Sequence, residues 1–336
     1  MQKNRLPYLD GLRGIAALLV FMIHAGGWGL RELGSIGNSI ADHGKYGVTI
    51  FFVVSAYSLC LSIQSSAVMN LRFWAGFYVR RLFRIMPLYL LALAVYIQLG
   101  GGVDYFGIDS IISHVFLLNT FMPWYANDII SVEWSIAVEM AFYLVFPLFY
   151  MIARRRLDLI FIFIFLFSLY PIRDLVYMSI GDNYFKYRAY TLFWYLHIFL
   201  LGIVAYTLKL QTDWGRLVSS YADPVIAALL ITLLVLGESN LSVLAFGAIT
   251  FLVLMRCRTD CLLRRILSGR LIVFAGGISF SIYLWHILGI RLFGPFWAVP
   301  ATIGLSYLTY RFVERPFMKL GRKLGSRLEG EPRAIA

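Results

Sequence analysis

Charge is scarce in this chain. Only 14% of its 336 residues are Asp, Glu, Lys or Arg, where a soluble domain carries about a quarter. A sizeable water-solvated domain is thereby excluded. Acidic residues are scarcer still, 18 against 30 Lys and Arg, so the net charge is +12. Cysteine is nearly absent. Cys60, Cys257 and Cys261 are too few and too scattered for a disulfide framework, and no metal site is expected. Phosphate loops, dinucleotide fingerprints, heptads, internal repeats and a serine-hydrolase elbow are all lacking.

Apolar residues fill the space left by charge: 60% of the chain, with a mean hydropathy of +0.76. Long apolar stretches recur near 10–29, 44–64, 80–100, 108–124, 132–153, 157–179, 189–208, 222–238, 241–255, 271–290 and 295–314. The pattern predicts an all-α, polytopic integral membrane protein. The stretch 108–124 is the weakest, since it holds His114, Asn119 and Pro123. Reading it as a re-entrant or interfacial segment leaves ten transmembrane helices with both termini in the cytoplasm. That arrangement puts 24 of the 30 basic residues inside and 6 outside, as the positive-inside rule requires. It also accounts for the +12 without nucleic acid, leaving membrane lipid as the surrounding partner. The first apolar stretch is expected to be an uncleaved helix, because Asp10 and Arg13 interrupt its start. Residues 1–320 form the expected membrane domain and 321–336 a short basic cytoplasmic tail.

Polar groups inside the spans need a reason, because each is costly in hydrocarbon. Arg13 and His24 are eleven residues apart, close to three helical turns, so they share one helix face about 16 Å apart along the axis. Arg13 is expected at one membrane surface and His24 near mid-bilayer. Glu139 lies in the fifth stretch, with Ser135 on the same face. Its carboxylate requires a partner, which His24 or a cytoplasmic-side arginine would supply. A structural ion pair is the plainer alternative. Ser279, Tyr283 and His286 form a second polar stripe, with His286 either ligand-facing or a packing residue. Arg72, Arg80, Arg81 and Arg84 cluster at the start of the third span, as topology signals or as a grip for a polyphosphate. Asp10, three residues before Arg13, is placed to orient it. His43, His114 and His197 are read as loop or interface residues.

These residues fall into ordered blocks. They are Tyr8-Leu-Asp-Gly-Leu-Arg-Gly14 with the R-x10-H spacing of Arg13 and His24, and Gly47-Val-Thr-Ile-Phe-Phe-Val-Val-Ser55. Phe77-Tyr-Val-Arg-Arg-Leu-Phe-Arg-Ile-Met-Pro-Leu-Tyr89 follows, then Trp134-Ser-Ile-Ala-Val-Glu139, Ser279-Phe-Ser-Ile-Tyr-Leu-Trp-His286 and Glu314-Arg-Pro316. In this the chain resembles the membrane-bound acyltransferase 3 family, which O-acylates bacterial surface carbohydrates and related acceptors. It departs from the family pattern at Thr49, Ala56 and Met140.

The resemblance implies a multi-pass O-acyltransferase of the bacterial cytoplasmic membrane. Acetyl-CoA or another acyl-CoA is the implied donor, a substrate and not a resident cofactor. The implied acceptor is a hydroxyl of a glycan or glycolipid such as O-antigen or exopolysaccharide. On this reading His24 is the general base and Glu139 orients it or stabilises its imidazolium. Arg13, Arg80, Arg81 and Arg84 anchor the coenzyme A phosphates, and Asp10, Ser135, Tyr283 and His286 face the substrates. A covalent acetyl-histidine is the alternative route. A transporter or flippase for a lipid-linked sugar and a non-catalytic acyl-CoA sensor are the competing classes.

Overall fold

A computed structural model describes residues 6–64, 66, 69–122, 125–154, 190–210, 212–237 and 241–330. Among the described residues the chain is all-helical, with no strand. The first helices are α1 (Pro7–His24), α2 (Gly34–Asp42), α3 (Gly47–Ile63), α4 (Leu71–Leu99) and a short α5 (Ile108–Val115). The middle of the chain holds α6 (Trp134–Ala153), α7 (Leu192–Leu210), α8 (Thr212–Leu236) and α9 (Ser242–Arg256). The last group is α10 (Leu262–Leu267), α11 (Arg270–Gly277), α12 (Ser279–Thr309) and α13 (Arg315–Glu329), the final two joined by a π-turn at Tyr310–Glu314.

Local chemistry sets the helix ends. Pro7, whose missing N–H costs nothing in a first turn, opens α1. Asn70 caps α4 by accepting a hydrogen bond from the Phe73 N–H at 3.0 Å. Within α12 the backbone breaks at Gly294 (φ 70°, ψ 169°), a conformation open to glycine and costly for other residues. The two arms, 279–293 and 295–309, fold back on each other. Gly289 lies against Thr302, Trp285 Nε1 donates to Thr309 Oγ1 at 3.1 Å, and Ser281 donates to Glu314 at 3.0 Å. The element therefore amounts to two antiparallel segments.

Six helices of the described residues are long and apolar enough to cross a membrane, and Leu192–Leu208 and Ser242–Arg256 are shorter apolar helices. Large apolar side chains point outward along several of them, including Leu144 and Leu148 on α6, Ile231 and Val235 on α8, and Phe296 on α12. An apolar exterior on apolar helices is the surface a bilayer covers, and the molecule is a membrane protein. Helix occupies each expected span within the described residues, with 271–290 divided between α11 and α12. The stretch 157–179 lies outside the described residues. The stretch 108–124 holds only α5 and a single turn at Leu118–Thr120, too short to cross, in keeping with a non-spanning reading.

The core joins α3, α6 and α7 through stacked rings: Phe52 on Phe199 at 4.4 Å and Phe142 on Phe199 at 4.0 Å between centroids. Helix α1 lies on α11 with no room for a side chain between them. A Cβ at Gly276 would sit 1.7 Å from the Asp10 carbonyl oxygen. Helices α1 and α3 run antiparallel, Gly47 packing on Ala16 and Val20 while Arg13 reaches Ser58. Helix α13 lies along the first half of α4, where Gly321 meets Phe83 and Gly325 meets Gly76 and Arg80. The expected boundary at residue 321 falls inside α13.

Candidate active site

A cleft of about 270 Å³ opens between α1, α3, α4, α6 and α12. On α3 its lining runs Val48, Phe51, Phe52, Ser55, Ser58, Leu59, Ser62, the i, i+3, i+4 progression of one helix face. Those residues extend over about 21 Å at 1.5 Å per residue. Arg13, Arg81, Arg84, Glu139 and Tyr143 line the cleft as well, and so do Ser135 and Tyr283. Three guanidiniums face one carboxylate, so the cavity favours an anion.

The charged groups are held in different ways. Arg13 donates to Asp10 at 3.2 Å and to Ser58 Oγ at 2.7 Å, which fixes its guanidinium at the cleft wall. Arg81 reaches Ser62 Oγ at 3.2 Å and lies over the rings of Phe77 and Tyr143. Arg84 also lines the cavity and has no hydrogen-bond or salt-bridge partner among the described residues. Glu139 accepts hydrogen bonds from Ser55 Oγ and Tyr143 Oη, both at 2.5 Å.

Four of the expected site residues sit as follows. Arg80 does not join the other arginines: it is turned onto Glu329 of α13, with Nη1 2.5 Å from that carboxylate. Its side chain is not part of the cleft lining. Glu139 does not orient His24, because its hydrogen bonds go to Ser55 and Tyr143. His24 is the last residue of α1, a full helix length from Pro7, and is exposed. His286, expected to face a ligand, is buried with its Nε2 3.1 Å from His24 Nδ1.

The histidines therefore form a second centre at the far end of α1. His24 Nδ1 lies 2.9 Å from the Val20 carbonyl oxygen, and its Nε2 has no hydrogen-bond partner among the described residues. The carbonyl is an acceptor, so Nδ1 carries the proton and Nε2 presents a lone pair. Tyr283 connects the two centres. Its hydroxyl is 2.6 Å from Ser135 Oγ at the cleft, and its ring is 5.8 Å from that of Phe51 and 5.9 Å from that of His286. Gly47 packs on Val20, so the Val48 end of the cleft stops about one helical turn short of His24.

Ser55, Ser58, Ser62 and Tyr143 belong to the cleft and escaped sequence reading. Their spacing was a usable signal: the serines recur at i, i+3 and i+7 in an otherwise apolar helix, and Tyr143 stands one turn after Glu139. His114, expected in a loop or at the interface, is wholly buried in α5 with its Nε2 3.2 Å from Glu133 Oε1, and it does not line the cleft. Two residues nineteen apart in sequence, one of them in a short helix, give no periodic sign of that pairing. No metal-holding cluster of His, Cys, Asp or Glu occurs among the described residues.

The chain is similar in sequence to known proteins. A Staphylococcus aureus (strain COL) protein named as an O-acetyltransferase is 27% identical over 374 residues, covering 95% of this chain and 58% of its own length. The chain thus spans little more than half of that relative. Acyltransferase MdmB of Streptomyces mycarofaciens is 30% identical over 169 residues, 45% of this chain and 41% of the relative. A protein of Acidianus two-tailed virus named as an acetyltransferase, ORF330, is 28% identical over 300 residues, 88% of this chain and 86% of its own. No solved structure matches. The sequence profile of the acyltransferase 3 family, described as an acyltransferase domain, matches residues 6–313, and the chain belongs to that family.

Proposed function

We propose that this protein is a transmembrane O-acyltransferase that moves an acyl group, acetyl in the simplest case, from a cytoplasmic acyl-CoA to a hydroxyl of a glycan or glycolipid. The observation that carries the reading is the long cleft with Arg13, Arg81 and Arg84 at one end and the His24–His286 pair just beyond the other. The family and the names of its relatives support acyl transfer.

Coenzyme A is a polyphosphate on a long flexible arm. The three guanidiniums suit its phosphates, since forked hydrogen bonds to phosphate oxygens are among the strongest a side chain makes. With Arg80 held by Glu329, the donor anchor consists of Arg13, Arg81 and Arg84. Glu139 keeps that wall from excess positive charge and fixes it through Ser55 and Tyr143. The arm then lies along the α3 face towards Tyr283 and Ser135. His24 Nε2 accepts the proton of the acceptor hydroxyl as its oxygen attacks the thioester carbonyl. The new C–O bond replaces the C–S bond, and the departing thiolate takes the proton back from the imidazolium. Histidine suits both steps because its ordinary pKa is near working pH. The basic-residue bias puts the arginine end and both termini in the cytoplasm of a bacterial cell, where the donor is, across about ten spans. The acceptor arrives at the His24 end.

Incubating the purified protein in membranes with labelled acetyl-CoA and candidate glycan acceptors tests this. Wild type is expected to form labelled acceptor, and His24→Ala to retain donor binding without transfer. Wild-type turnover in His24→Ala would remove His24 from the chemistry. Movement of an unmodified acceptor across the bilayer would instead identify a transporter.

A further inference from the structure

The role sought for Glu139 is vacant in the reading above, and the structure supplies another occupant. We infer that His286 is a positioning residue for His24, its Nε2 lone pair accepting the His24 Nδ1–H so that His24 Nε2 is held as the base. This inference rests on His24 being the base.

The proton positions follow from the acceptors around the two rings. His286 Nδ1 is 2.8 Å from the Tyr283 carbonyl oxygen and 3.3 Å from that of Ile282. Two carbonyls facing one ring nitrogen require a proton on it, so a neutral His286 has its lone pair on Nε2. That lone pair points at His24 Nδ1, 3.1 Å away, and the same atom is 2.9 Å from the Val20 carbonyl oxygen. The opposite assignment, with His286 Nε2–H donating, sets a lone pair on His286 Nδ1 against two carbonyls and one on His24 Nδ1 against a third. Only one pattern avoids these repulsions. His24 Nδ1–H is shared between Val20 O and His286 Nε2, and His24 Nε2 is left with its lone pair outward.

The surroundings make His286 a stiff support. It is 1% exposed, its ring is 5.7 Å from Phe21 and 5.9 Å from Tyr283, and both of its nitrogens are engaged. His24 is itself exposed. One ring of the pair is available to an acceptor and the other is not. When His24 takes the acceptor's proton, the charge spreads to Nδ1–H, and a fixed neutral acceptor stabilises it without a buried carboxylate. A buried neutral imidazole also escapes the desolvation penalty that a carboxylate incurs at this depth.

The test compares His286→Phe, which removes the acceptor but keeps a ring, with His286→Gln, whose side-chain oxygen reaches the place of Nε2. Expected for His286→Phe is a fall in kcat of about 10- to 100-fold, the loss of a hydrogen bond to a charged group. Donor affinity is expected to stay unchanged, since His286 does not line the cleft. His286→Gln is expected to recover most of that loss. The ¹⁵N spectrum of wild type should show His24 protonated on Nδ1, with that proton's resonance moved in the Phe variant and largely restored in the Gln variant. Wild-type kcat in His286→Phe overturns the inference, as does an equal loss in both variants with donor binding intact. Should the Phe variant not fold, a wild-type His24 protonated on Nε2 overturns it, and ¹⁵N–¹⁵N coupling across the hydrogen bond from His24 Nδ1–H to His286 Nε2 in wild type supports it, its absence counting against it. If His24→Ala is active, the base assignment fails first. If His24→Ala is inactive and His286→Phe is fully active, the positioning role alone fails.

Discussion

The two ends of α1 solve the problem of a polar group in a membrane in opposite ways. At the Arg13 end, charge is kept and surrounded: Asp10, Ser58, Glu139, Ser55 and Tyr143 together supply donors and acceptors around a shared cleft. At the His24 end charge is avoided. Two imidazoles in complementary neutral forms satisfy each other, and one nitrogen is left over. A site that must hold an anionic donor keeps permanent cations. A site that must take and return a proton needs a group that is neutral at rest. On the mechanism proposed above, the spacing of the two ends separates binding from chemistry along one helix.

That separation gives the largest expected effect. His24→Ala should lower kcat by about 10² to 10⁴, the contribution of a positioned general base, with the donor dissociation constant unchanged. Arg13→Ala should do the reverse, weakening donor binding about tenfold or more with a smaller effect on single-turnover rate. Equilibrium binding of labelled acyl-CoA alongside single-turnover kinetics reads both. If both variants lose binding and rate together, the two ends act as one site and the comparison collapses.

The next effect sharpens the charged end. Glu139→Ala removes the acceptor for Ser55 and Tyr143 and leaves the guanidiniums without their carboxylate. A loss of about 2 kcal/mol is expected, from unsatisfied polar groups in a part-buried cleft. Glu139→Gln keeps an acceptor and should lose less. Thermal unfolding in detergent micelles would rank the two, and equal stability of Glu139→Ala and wild type would make this carboxylate dispensable to the wall. The donor affinity of Glu139→Gln is informative separately, because removing the negative charge should strengthen anion binding.

Much of this was legible in residue spacing. Arg13, Glu139, Ser135 and Tyr283 stood out as expensive groups in apolar helices, and the cleft gathers all four. Helical periodicity reports which residues share a face of one helix. It is silent on which faces meet, so it left His24 and a cytoplasmic-side arginine open as partners of Glu139, and the structure shows α6 offering that carboxylate to α3 beside the arginines. It also left His286 either ligand-facing or packed, and the antiparallel arms of α12 bury it beside α1. Arg80, Arg81 and Arg84 were indistinguishable as a cluster. They are divided by α13, whose second half coincides with the basic stretch expected as a cytoplasmic tail. The glycines at 321 and 325 mark where that helix lies on α4, but small residues at i and i+4 fit many surfaces.

Close helix contact is the third measure. In Gly276→Ala the added methyl would meet the Asp10 carbonyl oxygen at 1.7 Å, backbone against backbone, with no flexible atom to yield. Overpacking of this kind costs about 1–3 kcal/mol. Because α11 presses on α1 beside Arg13, donor binding should weaken along with stability. If stability falls and donor binding does not, α1 moves as a rigid rod and its Arg13 end is insulated from its packing.

The smallest expected effect is at Arg80, and it distinguishes a binding arginine from a structural one. Arg80 and Arg81 are adjacent on α4, yet only Arg81 faces the cleft while Arg80 pairs with Glu329. The Arg80 side chain is about a quarter exposed at 24%, and such partly exposed pairs contribute about 1 kcal/mol or less. Arg80→Ala should therefore lower thermal stability slightly and leave donor affinity within about twofold of wild type, while Arg81→Ala weakens donor binding about tenfold. Glu329→Ala should reproduce the Arg80→Ala stability change, and the double variant should lose no more than either alone. A donor affinity that falls equally in Arg80→Ala and Arg81→Ala would show that Arg80 leaves Glu329 when the donor binds. Helix α13 would then be part of the donor site and not only its outer support.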